Sequence, residues 1–448
     1  MNITIIGGGA SGLLTATNLL KTAAKPLNIT IVEPNSLGLG AAYDVENMRH
    51  LLNVPAFKMS CISDDPDHFI NWLKENGHTF KNADFVPRKI YGEYIKSTYK
   101  KYLEGNKSVI VNHIQDHAID IVDDSGNLFV KTKSGKRITS DKIVLALGNF
   151  SSSHPKTKSN DYISNTNYIA NPLDSHSIKK INNKMRNVFV IGTGLTAVDT
   201  IISIREANPK AGIIAFSNHG YLPVQHNLNQ SYPSYYEELK GIKTTLELFK
   251  IVHKHIKLAE AKHIDYKAVT DAIRPYTQEI WSNLPEKEKL QFLRHLRHYW
   301  GVARHRMPSE SANYIYELIN FGKVELRKGR IKDIKTEGKH LVVVTENRKG
   351  EIENTKADCV INCTGPQSDY RKIDNILIKN LVSKGLIVPD DIKYGINTDK
   401  NGAVIGEDNV LSTKIFTVGP PMKGILWECV AIPEIKIQTN KLALELTR

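Results

Sequence analysis

Two glycine-rich turns, each placed between a short apolar run and a helical pattern, constrain the fold of this chain more than any other feature. The first is GGGASG at residues 7–12, and the second is GTGLTA at residues 192–197. Both fit the pattern G-x-G-x-x-G/A, in which small residues permit a tight turn and let a helix start close to a strand. The two turns therefore predict two separate βαβ units in one chain.

The first unit begins at the start of the sequence. Residues 2–6 form a β-branched run typical of a buried strand, residues 11–23 have helical periodicity, and residues 28–33 predict a second strand that ends in an acid. A helix N-terminus in such a unit binds a pyrophosphate, and the acid accepts hydrogen bonds from a ribose. The predicted dinucleotide contacts are Gly7, Gly9, Ala10, Ser11, Gly12 and Glu33.

The second unit has the same order, with predicted strands at 187–192 and 211–216 around a helix at 195–207. Gly192 and Gly194 are its predicted nucleotide contacts. The segment 217–220 (SNHG) after the second strand contains neither the acid that binds a plain ribose nor the arginine that binds a 2′-phosphate. The alternatives are an NADH or NADPH site with weak discrimination or a preference for NADH, and a module that has lost its ligand.

Two dinucleotide folds in one chain favour chemistry with two cofactors, a flavin and a nicotinamide that delivers hydride to it. Two further strands, LALGN at 145–149 and INCTGP at 361–366, end in glycine, which adds Gly148 and Gly365 to the predicted cofactor contacts. The predicted fold class is α/β, with two Rossmann-like dinucleotide-binding domains, for FAD and NAD(P), and a helical insertion.

The remaining pattern divides the chain into three segments. We expect the first part of an FAD-binding domain at 1–150, an NAD(P)-binding-like domain at 151–340 with the helical insertion at about 221–320, and the C-terminal part of the FAD-binding domain at 341–448. Within them, residues 107–147 predict strands with a turn at 124–127. In the insertion, one helix face is predicted from Leu290, Leu293, Leu296 and Trp300.

The charge balance narrows the classes of partner. The chain has 60 Lys and Arg against 47 Asp and Glu, a net charge of +13, and residues 221–340 carry 21 Lys and Arg against 14 Asp and Glu. Such a surface attracts phosphorylated molecules, nucleic acid or anionic lipid, or is simply a solvated basic face. No zinc-finger spacing, RNA-binding motif or long apolar run supports nucleic acid or membrane, so the predicted partner is a small molecule.

Four cysteines in 448 residues are typical of a reducing compartment, which predicts a cytoplasmic protein. Cys359 and Cys363 lie four residues apart on a predicted strand, so their Cα atoms are ~13 Å apart, beyond disulfide range. We therefore interpret them as structural residues and not as a redox pair. The histidine spacing supports no metal site.

Several local segments resemble one family of FAD/NAD(P)-binding flavoproteins with two dinucleotide-binding domains, which includes aspartate N-monooxygenases that form nitrosuccinate. The matching segments run from residue 3 to about residue 438: GLGAAY at 38–43, HLLNVPAFKMS at 50–60, FVPRKIYGEYI at 85–95, GTGLTAVD at 192–199, HYWGVARHRMP at 298–308 and VGPPMKGILWECVAIPEIKIQ at 418–438.

The resemblance implies FAD at the first glycine turn and adds Asn53, Val54, Gly419 and Pro420 to the residues near the flavin. It favours an FAD-dependent NAD(P)H oxidoreductase, and in particular a monooxygenase that N-hydroxylates a small amino acid or amine. The alternatives are a flavin-dependent amine dehydrogenase or oxidase, and a non-catalytic FAD/NAD-binding sensor. Substrate identity, oligomeric state and catalytic side chains stay open.

Three charged residues are candidates for substrate binding. Arg304 and Arg306 belong to a cationic cluster suited to a carboxylate or a phosphate, and Glu428 follows the turn near the expected flavin, where it suits an amine. The alternatives are a salt-bridged structural cluster for the arginines and a helix-start acid for Glu428.

Overall fold

Glycine turns and buried β-branched runs dominate the observed architecture, as the sequence predicts. The computed structural model describes residues 1–124 and 126–448, apart from the side chains of Ser175 and His176. Ser125, part of the turn predicted at 124–127, lies outside the described residues.

The strands are β1 (Asn2–Ile6), β2 (Leu27–Val32), β3 (Val109–Ile114), β4 (Ala118–Asp124), β5 (Asn127–Thr132), β6 (Arg137–Ser140), β7 (Lys142–Leu145), β8 (Tyr168–Ile169), β9 (Asn187–Ile191), β10 (Gly212–Ser217), β11 (Val324–Lys328), β12 (Arg330–Glu337), β13 (His340–Glu346), β14 (Ile352–Ala357), β15 (Cys359–Asn362), β16 (Ala403–Ile405) and β17 (Leu411–Thr417).

The helices are α1 (Ala10–Thr22), α2 (Gly40–Tyr43), α3 (His68–Glu75), α4 (Arg88–Gly105), α5 (Ser175–Ile178), α6 (Leu195–Ala207), α7 (Tyr236–Leu239), α8 (Thr245–Glu260), α9 (Tyr266–Ala272), α10 (Thr277–Asn283), α11 (Glu286–His295), α12 (Arg297–Arg304), α13 (Ser309–Asn320), α14 (Ile376–Ser383), α15 (Lys423–Leu426) and α16 (Ile432–Leu446).

Two sheets repeat one topology. The first has the order β16-β17-β7-β1-β2-β3, and the second has the order β11-β10-β9-β15-β8. In each, the strand before the glycine turn, β1 or β9, pairs in parallel with the following strand on one side and with a distant strand, β7 or β15, on the other. A three-stranded antiparallel sheet precedes that distant strand in both modules. Two Rossmann-like modules are therefore confirmed.

The hydrophobic pattern explains why these strands lie inside. In β1 the residues Ile3 and Ile5 are almost wholly buried, as Val188 and Val190 are in β9. Parallel strands covered by helices on both faces read as continuous apolar runs, which is the pattern seen at residues 2–6 and 187–191. Helix α16, near the end of the chain, returns to pack against α1.

Strand pairing corrects the predicted boundary at residue 340. That boundary falls after the first residue of β13, which pairs antiparallel with β12, and β15 then pairs with β9 in the second sheet. The second module therefore continues to about residue 363, and the chain returns to the first sheet only after β15. The physical reason is that β12–β14 form a hairpin sheet that cannot be divided between two units.

The helical insertion is also shorter and less regular than predicted. Helix α13 packs Ala312, Ile315 and Leu318 into the core of the second module, so the insertion ends at about Arg304. The predicted single face from Leu290 to Trp300 is divided, because α11 ends and α12 begins on either side of Leu296. Within the described part of the chain, no helix combines the length and the apolar character needed to cross a membrane.

Gly192 offers a direct test of the second turn. Its φ is +118°, and a Cβ there lies 2.4 Å from the carbonyl oxygen of Cys363, whereas a Cβ at Gly194 meets nothing within 4 Å. Gly192→Ala should lower the free energy of unfolding by roughly 1–3 kcal/mol or more, and Gly194→Ala by less than about 1 kcal/mol. Urea unfolding followed by circular dichroism measures both, and equal losses would contradict this account of the turn.

Candidate functional site

The start of α1 is built to approach an anion. Its N-cap is Gly9, without a side-chain hydrogen bond, so the N–H groups of the first turn are free of intrahelical partners. At Gly7, φ is +103° and a Cβ lies 2.3 Å from the carbonyl oxygen of Ala146, while a Cβ at Gly12 lies 1.9 Å from the carbonyl oxygen of Gly7. Only glycine permits this close packing at Gly7 and Gly12.

Glu33 anchors the end of β2 beside this turn. Its carboxylate accepts hydrogen bonds from the backbone N–H of Gly8 at 2.8 Å and of Asn35 at 3.0 Å. Each oxygen of a carboxylate has two acceptor positions, so each retains one for a ligand hydroxyl.

Two joined cavities begin at the glycine turns. The first, which we call the α1 cavity, has a volume of about 470 Å³, and the second, the central cavity, has a volume of about 1090 Å³. They share walls, among them Tyr43, Arg88, Asn149 and Thr196. Because these cavities lie at the carboxyl ends of β1 and β9, they occupy the position where open parallel sheets bind ligands.

The structure brings most of the predicted cofactor residues to these cavities. The α1 cavity is lined by Gly9, Ala10, Ser11, Gly148 and Pro420. The central cavity is lined by Asn53, Val54, Gly192, Gly194 and Gly365.

Four residues that were predicted to contact a cofactor do not line either cavity, but they shape the backbone next to it. Gly7, Gly12 and Glu33 shape the first turn, as described above. Gly419 has φ +79°, donates its N–H to Gln438 at 2.9 Å, and leaves only 2.7 Å between a Cβ and the hydroxyl of Ser11. It therefore sets how closely the C-terminal turn approaches the start of α1.

Arg88 is a functional candidate that the sequence reasoning missed. It lines both cavities, and its guanidinium lies 3.5 Å from the carboxylate of Asp199 on α6. Its Nε is buried and has no hydrogen-bond partner among the described residues. A buried unpaired donor is costly, so Arg88 is a candidate contact for an anionic ligand. The signal was its position in the segment FVPRKIYGEYI.

The second turn is tied to the end of β10. Thr193, between the two glycines, donates through Oγ1 to the carbonyl of Tyr221 at 2.5 Å and lies 2.9 Å from the hydroxyl of Ser217. Gly194 is the N-cap of α6 and carries no side-chain cap, so this helix also presents free N–H groups.

The wall beside residues 217–219 is more basic than the local sequence indicates. Arg297 from α12 and Arg330 from β12 line the central cavity together with Ser217 and His219. Arg330 forms no salt bridge within the part of the chain that the structure describes. Pairing between β10 and β11, with a hydrogen bond from Gly329 N–H to the carbonyl of Ser217, brings it there.

Aromatic rings extend this wall. His219 stacks on His298 with centroids 3.9 Å apart and planes 7° apart, and the Tyr221 ring lies nearly parallel to both, with its centroid 5.9 Å from His219 and 6.4 Å from His298. Burial and the adjacent His219 ring lower the pKa of His298. The stack thus offers a flat surface to a ligand ring.

The three predicted substrate residues separate into two groups. Arg306 is wholly buried and donates to the carbonyl of Ala303, the carboxylate of Asp271 and the carbonyl of Lys267. It does not line the central cavity, and its burial and its three bonds favour the structural alternative over a substrate contact.

Arg304 and Glu428 do line the central cavity, and they bind each other. Arg304 Nε donates to Glu428 Oε2 at 2.8 Å, and the indole N–H of Trp300 donates to Oε1 at 2.8 Å. The side chains of Arg304 and Glu428 are 9% and 8% exposed. Arg304 therefore positions Glu428, and its guanidinium is already paired rather than free to bind a substrate carboxylate.

Trp427 adopts an uncommon backbone conformation beside this pair. Its φ is +53°, a region that costs a bulky residue ~1–3 kcal/mol unless the surroundings hold it there. Its indole stacks on Trp281 with centroids 4.7 Å apart and meets the edge of Phe292 at 5.2 Å. These contacts fix the indole in the wall of the central cavity.

The cysteines behave as structural residues. Cys61, Cys359, Cys363 and Cys429 are all buried and free. Burial raises the pKa of the Cys363 thiol to about 12, although this residue lines the central cavity. A thiol of this kind is inert as a nucleophile at neutral pH.

His226 links the loop before the helical insertion to the segment around Asn53. Its Nε2 lies 3.0 Å from the carbonyl oxygen of Asn53, so Nε2 carries the proton and donates it. Its Nδ1 is buried without a partner within the described residues, and Phe85 packs on the ring at 4.8 Å. Burial lowers the pKa of His226 to about 4.

Comparison with known families agrees with the first module. Residues 4–150 match the family model described as FAD-NAD(P)-binding. No curated protein matches the sequence significantly.

Solved structures match over the whole chain. An ornithine N-hydroxylase from Kutzneria sp. 744, solved with reduced FAD, NADP⁺ and L-ornithine, is 13% identical, with 98% of this chain and 97% of that chain covered and a TM-score of 0.67. An L-lysine 6-monooxygenase from Pseudomonas syringae is 12% identical, with 98% and 97% covered and a TM-score of 0.67. A thioredoxin reductase from T. acidophilum is 12% identical, with 100% and 98% covered and a TM-score of 0.53. The chain therefore has the fold of two-domain flavoproteins.

The lowered pKa of His226 can be tested by measuring how the stability of the protein against urea changes with pH. Its folded pKa of about 4 lies below the unfolded value of ~6.5, so between these values the unfolded chain binds more protons and stability falls as pH falls. His226→Gln keeps an N–H donor for Asn53 but does not titrate, so the urea midpoint should fall less steeply from pH 6.5 to pH 4. Identical pH profiles for both proteins would show that His226 is not the group responsible.

Proposed function

We propose that this chain is a flavin-dependent monooxygenase that uses FAD and NAD(P)H to N-hydroxylate a small amine or amino acid. The observation that carries the proposal is the opening of both glycine turns onto joined cavities, so that two dinucleotides can meet at the carboxyl ends of β1 and β9. Full-length likeness to N-hydroxylating enzymes of ornithine and lysine supports it.

The residues present fit FAD in the first module. The free N–H groups at the start of α1 and the unpaired Arg88 Nε suit the pyrophosphate, and Glu33 keeps acceptor positions for a ribose. Asn53 and Val54 line the central cavity and Pro420 lines the α1 cavity, and we assign these residues to the ring end of the flavin.

The second module suits the nicotinamide nucleotide. The capless start of α6 at Gly194 offers N–H groups for its pyrophosphate. The stacked rings of His219 and His298 offer a surface for an adenine, and Arg330 and Arg297 offer charge for a 2′-phosphate.

When bound, FAD accepts hydride from NAD(P)H and, once reduced, reacts with dioxygen. The overall reaction combines one amine, one dioxygen, one NAD(P)H and one proton, and yields one hydroxylamine, one NAD(P)⁺ and one water. One oxygen atom forms the new N–O bond, and the other leaves as water.

The chain's own residues prepare the substrate nitrogen. Arg304 and Trp300 hold Glu428 at the cavity wall, where the acceptor positions left on its carboxylate suit a substrate ammonium group and can accept its proton, which leaves the neutral amine whose lone pair forms the N–O bond. The indoles of Trp300 and Trp427 limit the entry of water.

A disulfide reductase activity shares the fold but is not supported by the thiols of this chain. Cys359, Cys363 and Cys429 are buried, and burial raises the pKa of each thiol to about 12. Disulfide exchange needs an accessible thiolate, because the thiolate is the attacking species.

The proposal is tested by measuring hydroxylamine, hydrogen peroxide and NAD(P)H consumption with a panel of amines and amino acids. We expect protein-bound FAD and about one hydroxylamine per NAD(P)H with a true substrate. Gly9→Arg should lose both FAD and product, because a Cβ at Gly9 already lies 3.4 Å from Gly40 Cα. Gly105→Arg, at the exposed end of α4 with nothing within 4 Å, should keep both.

Other outcomes would overturn the proposal in identifiable ways. Stoichiometric peroxide with every amine indicates an oxidase, and flavin reduction by the amine itself indicates a dehydrogenase. Bound FAD without any turnover indicates a sensor.

We also infer a preference for NADPH, in place of the weak discrimination or NADH preference predicted from residues 217–220 alone. A single charge-assisted contact is worth ~1.5 kcal/mol or more, so Arg330→Ala should lower kcat/KM for NADPH by roughly tenfold and leave that for NADH within about twofold. Lys332→Ala, which removes an exposed lysine paired with Glu346, is the matched control. Equal losses for both nucleotides would exclude a 2′-phosphate contact.

A further inference from the structure

We propose that an apolar cavity inside the helical insertion binds an aliphatic or aromatic group attached to the reacting nitrogen, so that the substrate is an amine with an apolar moiety. This inference rests on the proposed function, because it assigns the part of the substrate that extends away from the flavin. The cavity, which we call the insertion cavity, lies among helices α8 to α12 and has a volume of about 410 Å³.

The lining of the insertion cavity is almost wholly apolar. Helix α8 contributes Leu248, Val252 and Ile256, and the facing helices contribute Ile280, Trp281, Phe292 and Leu296. Protein interiors pack at a density of ~0.75 and contain few voids larger than a water molecule. A void of this size is within the usual range of ligand pockets, ~300–1,000 Å³.

The threonine hydroxyls and the Trp281 indole N–H in its wall are already bonded to the protein. Three threonines line it, and the hydroxyl of each donates to a backbone carbonyl: Thr245 to Glu288 at 2.7 Å, Thr270 to Tyr266 at 3.3 Å and Thr277 to Arg274 at 2.9 Å. The N–H of Trp281 likewise donates to the carbonyl of Gly424 at 2.8 Å. The cavity opens to solvent at Phe249 and Tyr299, which are 46% and 55% exposed, so an apolar group that enters it removes both its own surface and the apolar lining from water.

The insertion cavity lies next to the central cavity, and the two have part of their walls in common. Four residues line both: Tyr221, Trp300, Val302 and Trp427. The indole N–H of Trp300 reaches Glu428 on the polar side, while its ring lines the apolar side. The boundary between polar and apolar surroundings therefore runs through Trp300 and Trp427.

A substrate bound across this boundary extends into both cavities. Its amine nitrogen stays in the central cavity near Glu428, where the carboxylate compensates its charge. Its apolar group passes Trp300 and Trp427 into the insertion cavity. A diamine or a basic amino acid carries a second charged end, which has no partner in a wall of this kind, so such substrates leave the insertion cavity unfilled.

Calorimetric titration of the FAD-loaded protein with n-butylamine, n-hexylamine and n-octylamine tests the inference. Affinity should rise about fourfold per added methylene, which is the factor that corresponds to ~0.8 kcal/mol for each buried CH₂ group. Cadaverine, with an ammonium group at each end, should bind more weakly than n-hexylamine.

Two substitutions on α8 locate the binding. Val252→Trp fills the insertion cavity and should abolish the chain-length dependence, whereas Leu246→Trp, at a 62% exposed position outside the cavity, should keep it. Retained FAD and flavin reduction by NADPH show that each variant is folded, and Val252→Phe replaces Val252→Trp if the larger ring prevents folding. A flat chain-length series, or the same gradient in the cavity-filling variant, would overturn the inference.

Binding and turnover separate the two proposals. A chain-length gradient that Val252→Trp abolishes, without any hydroxylamine product, supports the insertion cavity and contradicts the proposed reaction. Hydroxylamine formation that is equally efficient for butylamine and octylamine supports the reaction and contradicts the role of the insertion cavity.

Discussion

The same backbone contact, made twice, determines where the two halves of this protein can hold ligands. At Gly7 and at Gly192, φ is strongly positive, and a Cβ would overlap the carbonyl oxygen of Ala146 or Cys363 at the end of the neighbouring strand. Each glycine thus lets a strand end, a turn and a helix start meet without intervening side chains. The free N–H groups of α1 and α6 then lie at the edges of two joined cavities, which is the arrangement that two-cofactor chemistry requires.

The helical insertion supplies part of the wall of the central cavity. The Arg304–Glu428 ion pair joins α12 to the turn before α16, and Arg274 binds Glu434 at 3.0 Å in the same contact. Removing one partner of a buried ion pair leaves an uncompensated charge, with a typical cost of ~3–5 kcal/mol. Trp300 is tied to this ion pair through its hydrogen bond to Glu428, whereas Trp427 is held by its ring contacts with Trp281 and Phe292, and both indoles line the central cavity and the insertion cavity.

Local signals in the sequence predict the glycine turns and their flanking elements well. Strand, turn and helix are adjacent in the chain there, and the glycine pattern reports a backbone requirement directly. The helix predicted at 195–207 begins and ends as the structure has it. The boundary at residue 340 was wrong because strand pairing is not local, and the break of the helix at Leu296 leaves no clear mark in the hydrophobic spacing.

The side chains of the site were harder to predict, for the same reason. Arg304 and Arg306 are two residues apart, yet one lines the central cavity and the other is enclosed by Asp271 and two carbonyls. The pairing of β10 with β11 brings Arg330 to the cavity wall beside Ser217 and His219, and residues 217–220 alone hold no sign of this arginine. Glu428 lies 124 positions from Arg304 in the chain, and sequence spacing holds no information about such a pair.

The central claim is that the two modules hold FAD and NAD(P)H so that hydride passes between them in the joined cavities. Anaerobic mixing of the FAD-loaded protein with NADPH, followed by absorbance, tests this most directly. The account predicts that NADPH alone, without an amine, converts the bound flavin from its oxidised to its reduced spectrum. A flavin that stays oxidised with NADPH and NADH, or is reduced only by an amine, would contradict it.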